Sequence, residues 1–425
     1  MSLPKSVWSR SSLLIKTAGK MAYKELESRV QTSPLGKRIE QAEELVKALS
    51  QMKGAAMKVG QLLSLDATDL FPPEVIKVLS QLQADAGALP FEEIRSILIK
   101  ELGETQYQKI DFIDPTPLAA ASIGQVHRAT INGKDYVLKI QYPGVADTID
   151  SDINLLEKLI SQMFFFSGRK KIEIKPLMTE LKEVLKLETN YLQEAQFLTR
   201  YQKNFAKDSR FIIPKVDLEY TTQKVLCLEF CSGLPLRNWL EAEPSTQDAQ
   251  ELAKYALELY LTEFYQWGLV QTDPNFGNFL IQENPLKIVL LDFGSTKEYS
   301  SSFIQKYKRI VKAAFDDKDE ELLEATFEMN LMDKRESTET RIKYIKMMKA
   351  IVAPFQQPED FDFTDSEFVS LSKDLSLEFT QALEYSPPPK ELIFLHRKLG
   401  GIFGLMKRCK AKIALRPYME DVLNS

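Results

Sequence analysis

Residues 271–294 read QTDPNFGNFLIQENPLKIVLLDFG, and the order of polar and apolar residues in this stretch decides the fold. A long helical pattern precedes it, and two apolar runs inside it, NFLI and KIVLLDFG, flank an Asn284-Pro285 turn. Runs of that length bounded by turn residues read as paired strands. Asp273 and Asn278 fall in the loop around the first run, and Asp292 ends the second. Singly, Asp273 could cap a turn and Asp292 could end a strand. Together they suit a phosphate ester: a carboxylate positions or deprotonates an attacking hydroxyl, while an amide oxygen and a second carboxylate hold metals that bridge phosphates. Asp273 is therefore a candidate catalytic residue, and Asn278 and Asp292 are candidate metal ligands.

Working outward, Asp273 and Asn278 have the five-residue separation of a kinase catalytic loop, and Asp292-Phe293-Gly294 fits the metal-binding DFG that follows one. Upstream, Ala119-Ala120-Ala121-Ser122-Ile123-Gly124-Gln125-Val126 stands where a kinase has G-x-G-x-x-G-x-V, with alanine at the first two glycine positions. Small residues let backbone approach phosphates, although alanine restricts φ more than glycine does. Ala119, Ala120, Ala121, Ser122, Gly124 and Val126 are accordingly candidate nucleotide-binding residues. Thirteen residues beyond Val126, Lys139 is the one charge in Val137-Leu138-Lys139-Ile140. An ammonium in an apolar strand is costly unless paired. The functional reading gives it the α and β phosphates and a supporting helix glutamate, Glu194 first and Glu188 second. The alternative is a lysine that snorkels at a sheet edge.

The flanking patterns complete an α+β organisation. Residues 33–110 are helical in texture, with prolines at Pro72, Pro73 and Pro90 where helices stop and start. Two strands follow around Asn132-Gly133, the strongest short-range hairpin signal. Residues 151–163 and 176–203 read as helices, VDLEY and KVLCLEF as strands, and the rest as mainly helical apart from the hairpin at 279–294. Strand and helix do not alternate regularly, which argues against a Rossmann-type or barrel enzyme. The division is a basic leader over 1–32, a helical extension over 33–110, a sheet-bearing lobe over 111–233 and a helical lobe over 234–425.

A net charge of −5 gives no basic footprint for nucleic acid. Three cysteines, Cys227, Cys231 and Cys409, make no disulfide framework, and two histidines, His127 and His396, are too few for zinc-hydrolase or Ser-His chemistry. His127, beside the alanine-rich loop, reads as a packing residue. No run approaches the ~18–20 apolar residues of a membrane span. Residues 1–24 carry five basic residues and no acid among Trp8, Leu13, Leu14 and Ile15. Such a segment suits an anionic membrane surface, organellar targeting, or a leader docked on the body of a cytoplasmic protein.

These segments resemble those of the ABC1 family of atypical kinases, also called the AarF, UbiB or ADCK family. The resemblance runs from about Lys37 to Lys297, weakens beyond, and returns in RKLGGIFGLMKR. It rests on Lys58-Val59-Gly60-Gln61, similar to the family's K-x-G-Q motif, on AAASIGQVH, on VLK at Lys139, and on DPNFGN followed by DFG. It implies a two-lobed protein-kinase-like fold with a helical N-terminal extension carrying the K-x-G-Q motif, folded across the site so that Lys58 and Gln61 sit over the nucleotide. ATP or ADP and Mg²⁺ are the implied cofactors. A small-molecule, lipid or isoprenoid-like acceptor is the implied partner. Many members of the family also have apolar C-terminal helices that enter the membrane. Here LGGIFGLMKRCKAKIALRPYMEDVLNS is too short and too charged for a span pair, so any membrane contact is expected to be peripheral. Where the family has E-x-D, this chain has Glu188-Thr189-Asn190, which removes one charge from the contact with the extension. Where the family has H-x-D-P-H-P-G-N, it has Gln271 through Asn278, so both histidines and one proline are replaced while Asp273 and Asn278 stay.

Two functions follow from these residues. One is an enzyme that hydrolyses ATP or transfers its phosphoryl group, for which the resemblance implies a setting in isoprenoid-quinone or lipid metabolism. The other is a nucleotide-gated binding module controlling a protein or lipid partner. Retention of every charged catalytic position favours the enzyme, while the alanine loop, Asn190 and the replaced histidines leave room for the module. A protein Ser/Thr kinase is disfavoured by the absence of an Ala-Pro-Glu segment after DFG.

Overall fold

The computed structural model describes residues 88–121, 123–166, 175–386 and 390–424. They belong to two compact units: one contains the chain up to Lys203 together with Pro214–Cys231, the other Asn204–Ile213 together with Ser232–Ser425.

In the first unit, helix α1 (Phe91–Leu102) starts behind Pro90, buries Ile94 and Leu98 four residues apart, and stops at Gly103. The sheet follows. Strands β1 (Ile110–Ile113) and β2 (Ala119–Ala121) both pair antiparallel with β3 (Gly124–Ile131), which pairs with β4 (Lys134–Gln141). Asn132 and Gly133 supply the two positive φ angles, 52° and 72°, that a two-residue hairpin turn with the right twist requires. Helices α2 (Val145–Phe166), α3 (Lys175–Glu188) and α4 (Tyr191–Asn204) come next. The expected single helix over 176–203 is broken at Thr189-Asn190, where Asn190 accepts a hydrogen bond from the Gln193 backbone at 3.1 Å and opens α4.

The chain then leaves this unit. Strand β5 (Phe211–Ile212) adds parallel to the second unit's sheet, and Phe205 packs on Phe211 and Trp267. Residues 204–213, which fall inside the span 111–233, thus cluster with the second unit. The chain returns to complete the first sheet with β6 (Val225–Glu229), whose first four residues are all buried. VDLEY is not a strand: only Val216 bridges to Leu228, and Leu218–Tyr220 form a 3₁₀ turn capped by the Asp217 carboxylate. An aspartate side chain that takes the backbone N–H of Glu219 at 3.0 Å offers the chain a turn in place of a ladder.

The second unit resumes with β7 (Leu234–Pro235) and the long helix α5 (Thr246–Leu261), N-capped by Ser245. Its buried stripe, Ala249, Leu252, Ala253, Ala256, Leu257 and Tyr260, follows the helical period. A π-helical turn, Thr262–Trp267, ends at Gly268 with φ 59°. A Cβ there would stand 2.6 Å from the Tyr299 carbonyl oxygen, so glycine is required twice over. Strand β8 (Leu269–Gln271) follows, then the hairpin of β9 (Phe279–Gln282) and β10 (Lys287–Leu290), then β11 (Thr296–Glu298), which pairs back onto β8. β10 lies between β9 and β5. Helices α6 (Ser301–Phe315), α7 (Asp319–Glu328) and α8 (Thr338–Gln356) share an apolar core around Ile310, Ala314, Leu322 and Tyr344. Helix α9 (Lys390–Arg408) carries RKLGG back to the 271–294 stretch. No helix among the described residues is long and apolar enough to cross a membrane.

Candidate active site

Each unit presents one set of the expected residues. In the first, Lys139 projects from β4 with its Nζ 3.0 and 3.1 Å from the two carboxylate oxygens of Glu194 on α4. Glu194 is 1% exposed and the Lys139 side chain 13%, so the pair is largely out of water, and the Tyr191 ring lies 5.2 Å from the ammonium. An ion pair at that depth persists because each charge answers the other. Asn190 caps the helix turn that holds Glu194, and Gln141 ties the end of β4 to the Thr189 carbonyl at 2.8 Å. Glu188 is buried at the end of α3.

Ala119, Ala120 and Ala121 form strand, paired with Val126, Gln125 and Gly124 respectively. This departs from the expected alanine-rich turn: a ladder with β3 fixes these residues more firmly than a glycine loop would. Ser122, Lys58 and Gln61 lie outside the described residues. Gly124 has a packing reason of its own, since a Cβ would stand 2.2 Å from the carbonyl oxygen of Ile140 on β4. Gln125 and His127 form a buried polar latch. The Gln125 amide oxygen accepts from the Leu89 N–H at 2.8 Å, and its nitrogen lies 2.7 Å from His127 Nε2. His127 Nδ1 lies 2.7 Å from the Asp114 carbonyl oxygen, which requires the proton on Nδ1 and leaves Nε2 to accept. His127 is thus a packing residue.

In the second unit the 271–294 stretch closes on itself. Thr272 donates its hydroxyl to the Ser295 carbonyl at 2.6 Å, and Leu291 donates its N–H to the Asn278 carbonyl at 3.0 Å. The loop between is stiffened by turns: Asp273 accepts from the Asn275 N–H at 3.2 Å, and Asn275 accepts from the Gly277 N–H at 3.0 Å. Asp292 accepts from the Gly294 N–H at 2.9 Å, and Phe293 is fully buried. Asn278 and Asp292 line one small, mainly apolar pocket together with Leu259, Glu263, Gln271, Phe279, Leu290, Phe293 and Lys398. Asn278 Nδ2 is buried and has no hydrogen-bond partner among the described residues.

Helix α9 supplies residues that local pattern did not single out. Arg397 reaches Asp273, Nη2 to Oδ1 3.9 Å, with both side chains 7% exposed. Lys398 lies 3.3 Å from Glu263 and 3.1 Å from the Gln271 amide oxygen. Gly401 meets Pro274 so closely that a Cβ would stand 2.2 Å from the proline's own. His396, in the same helix, pairs with the Tyr307 hydroxyl at 3.1 Å.

The donor set fits one kind of metal. Among the described residues no group of three or more His, Cys, Asp or Glu side chains clusters to hold an ion. One carboxylate and one amide suit Mg²⁺, which keeps waters and takes its remaining oxygens from phosphate. They do not suit zinc or a protein-caged calcium.

Comparison with known proteins identifies the family. Residues 81–326 match the model of the ABC1 atypical kinase-like domain. The chain is similar to the mitochondrial atypical kinase COQ8 of Schizosaccharomyces pombe, 33% identical over 89% of this chain and 62% of that protein. It is also similar to the mitochondrial atypical kinase COQ8 of Saccharomyces cerevisiae, 32% identical over 88% of this chain and 74% of that one. Against the mitochondrial atypical kinase COQ8B of Danio rerio it spans 61% of the relative's length, so the chain covers less than two thirds of this relative and of the Schizosaccharomyces pombe protein. Among solved structures, Rv3197 of Mycobacterium tuberculosis in its erythromycin complex superposes with a TM-score of 0.60 at 23% identity, covering 90% of this chain and 95% of that one. Fold, loop order and a family match over more than half of its length together make this chain a member of the ABC1 atypical kinase-like family.

Proposed function

We propose that this chain is an Mg²⁺-dependent ATP-using enzyme that hydrolyses ATP or passes its terminal phosphoryl group to a small or lipid-related acceptor. The observation that carries the reading is the shared pocket of Asn278 and Asp292, held by the backbone bond from Leu291 to Asn278, with Asp273 at the head of the same loop. Bound there, Mg²⁺ would neutralise charge on the phosphates. Asn278 and Asp292 hold it, and Asp273 orients the attacking hydroxyl or water. Lys139, held in place by Glu194, grips the α and β phosphates.

The names of the relatives support an organellar setting, mitochondrial for the fungal proteins and chloroplastic for one from Arabidopsis thaliana. An isoprenoid-quinone or lipid pathway is the metabolic context this family resemblance favours.

A nucleotide-gated binding module is the second reading. It is favoured by Ala119–Ala121, which sit in a strand ladder where ordinary kinases have mobile glycines. Phosphate release from ATP with Mg²⁺, with and without lipid or detergent micelles, compares wild type with Asp292→Asn. Turnover lost in the variant upholds the enzyme. Absence of turnover in wild type that still binds nucleotide overturns it in favour of the module.

A further inference from the structure

Lys398 is 1% exposed. Burying an ammonium requires compensation, and two groups give it: Glu263 Oε2 at 3.3 Å and the Gln271 amide oxygen at 3.1 Å. These three come from separate places in the chain. Glu263 belongs to the π-helical turn after α5, Gln271 ends β8, and Lys398 lies on α9, 127 residues further on. Gln271 matters because of what it is attached to. It stands two residues before Asp273, and it pairs in register with Thr296, four residues after Asp292. Fixing Gln271 therefore fixes the head of the 273–278 loop and the segment after Asp292 together.

All three residues share one pocket with Asn278 and Asp292. A bare ammonium on that wall would repel a divalent cation. Paired with Glu263 it contributes no net charge and leaves the Asp292 carboxylate to attract the metal. A buried ion pair seldom stabilises a fold more than apolar residues of equal volume would, so stability alone does not account for it.

We propose that Lys398, with Glu263 and Gln271, is a positioning residue that sets the Asn278–Asp292 pair for its metal. This deepens the preceding reading and rests on it. Groups that orient metal ligands from behind typically contribute about 10–100-fold in metal affinity.

The test uses full-length protein, Mn²⁺ as probe, and three readouts: unfolding temperature without ligand, ADP affinity in chelator, and Mn²⁺ affinity in the presence of ADP. The principal variant is the charge-neutral pair Lys398→Met with Glu263→Gln, and Gln271→Leu is a milder second one. Both are expected to leave ADP affinity in chelator unchanged and to weaken Mn²⁺ binding by about tenfold or more. Mn²⁺ affinity within about twofold of wild type in either folded variant overturns the positioning role alone. Wild-type protein that binds ADP without any dependence on Mn²⁺ overturns both this role and the metal site it serves.

Discussion

Gly401→Ala is a small change with a large expected effect. An ideal Cβ at Gly401 stands 2.2 Å from Pro274 Cβ, while ordinary contact begins near 3.4 Å, so α9 and the loop must part by 3.4 − 2.2 = 1.2 Å. Pro274 is joined directly to Asp273. A displacement of about 1 Å in a catalytic group costs about 10²-fold in rate. Overpacking of this kind costs about 1–3 kcal/mol, against a helix-propensity gain for alanine of about 1 kcal/mol. The same helix supplies its own controls. Gly400 and Gly404 have nothing within 4 Å of an added Cβ, so alanine at either collects the propensity gain without the clash. Thermal unfolding and ATP turnover on the three single variants decide the matter. Gly400→Ala and Gly404→Ala are expected to match or exceed wild type in both, while Gly401→Ala falls in both. A Gly401→Ala protein that unfolds and turns over like the Gly400 variant would refute the argument, because it would show that α9 yields without moving the loop.

Gly124→Ala is expected to destabilise the first unit, since its Cβ would meet the Ile140 carbonyl oxygen at 2.2 Å; urea unfolding should show a loss of about 1–3 kcal/mol. Glu194→Ala removes the carboxylate that touches Lys139 with both oxygens, and a loss of about 3 kcal/mol with weaker ADP binding is expected from denaturation and titration. Gln125→Leu deletes the bonds to Leu89 and His127 inside a buried latch, costing about 1–3 kcal/mol by the same assay. Glu336 gives a pH prediction. Burial opposes its ionisation, yet the Tyr385 and Glu384 N–H groups and the Ser386 hydroxyl outweigh this and hold its carboxyl below the ordinary range. A carboxyl lowered in the folded state adds stability that is complete above its unfolded pKa and is lost as pH falls through the folded one. Stability of wild type should therefore fall more steeply below about pH 4.5 than that of Glu336→Gln, and parallel curves would contradict it.

Local chemistry made much of this molecule legible. Asn132-Gly133 specified its hairpin because only a few residue types accept two positive φ angles in succession. Lys139 announced itself as a lone charge in an apolar strand, and Glu194 as a glutamate on the following helical run. What stayed hidden depends on distant partners. Nothing near Lys398 in sequence indicates that it is buried against Gln271, and nothing near Gly124 points to the Ile140 carbonyl as the reason for glycine. VDLEY has a strand's composition but Asp217 turns it by a local hydrogen bond, so propensity lost to capping. The triple-alanine segment looked like a turn because small residues often are. Its ladder with β3 is fixed by pairing across the edge of the sheet.

The excursion of Asn204–Ile213 has a practical consequence for anyone dividing this chain. Because β5 comes from a piece of sequence that precedes β6, the backbone passes from one unit to the other three times, and no single cut yields either unit whole. A fragment begun at Leu234 would lack β5, and the edge of β10 at Ile288 and Val289 would then present open N–H and C=O groups. Such an edge recruits a strand from another copy, so that fragment should precipitate or self-associate, while one begun upstream of Asn204 retains its cover.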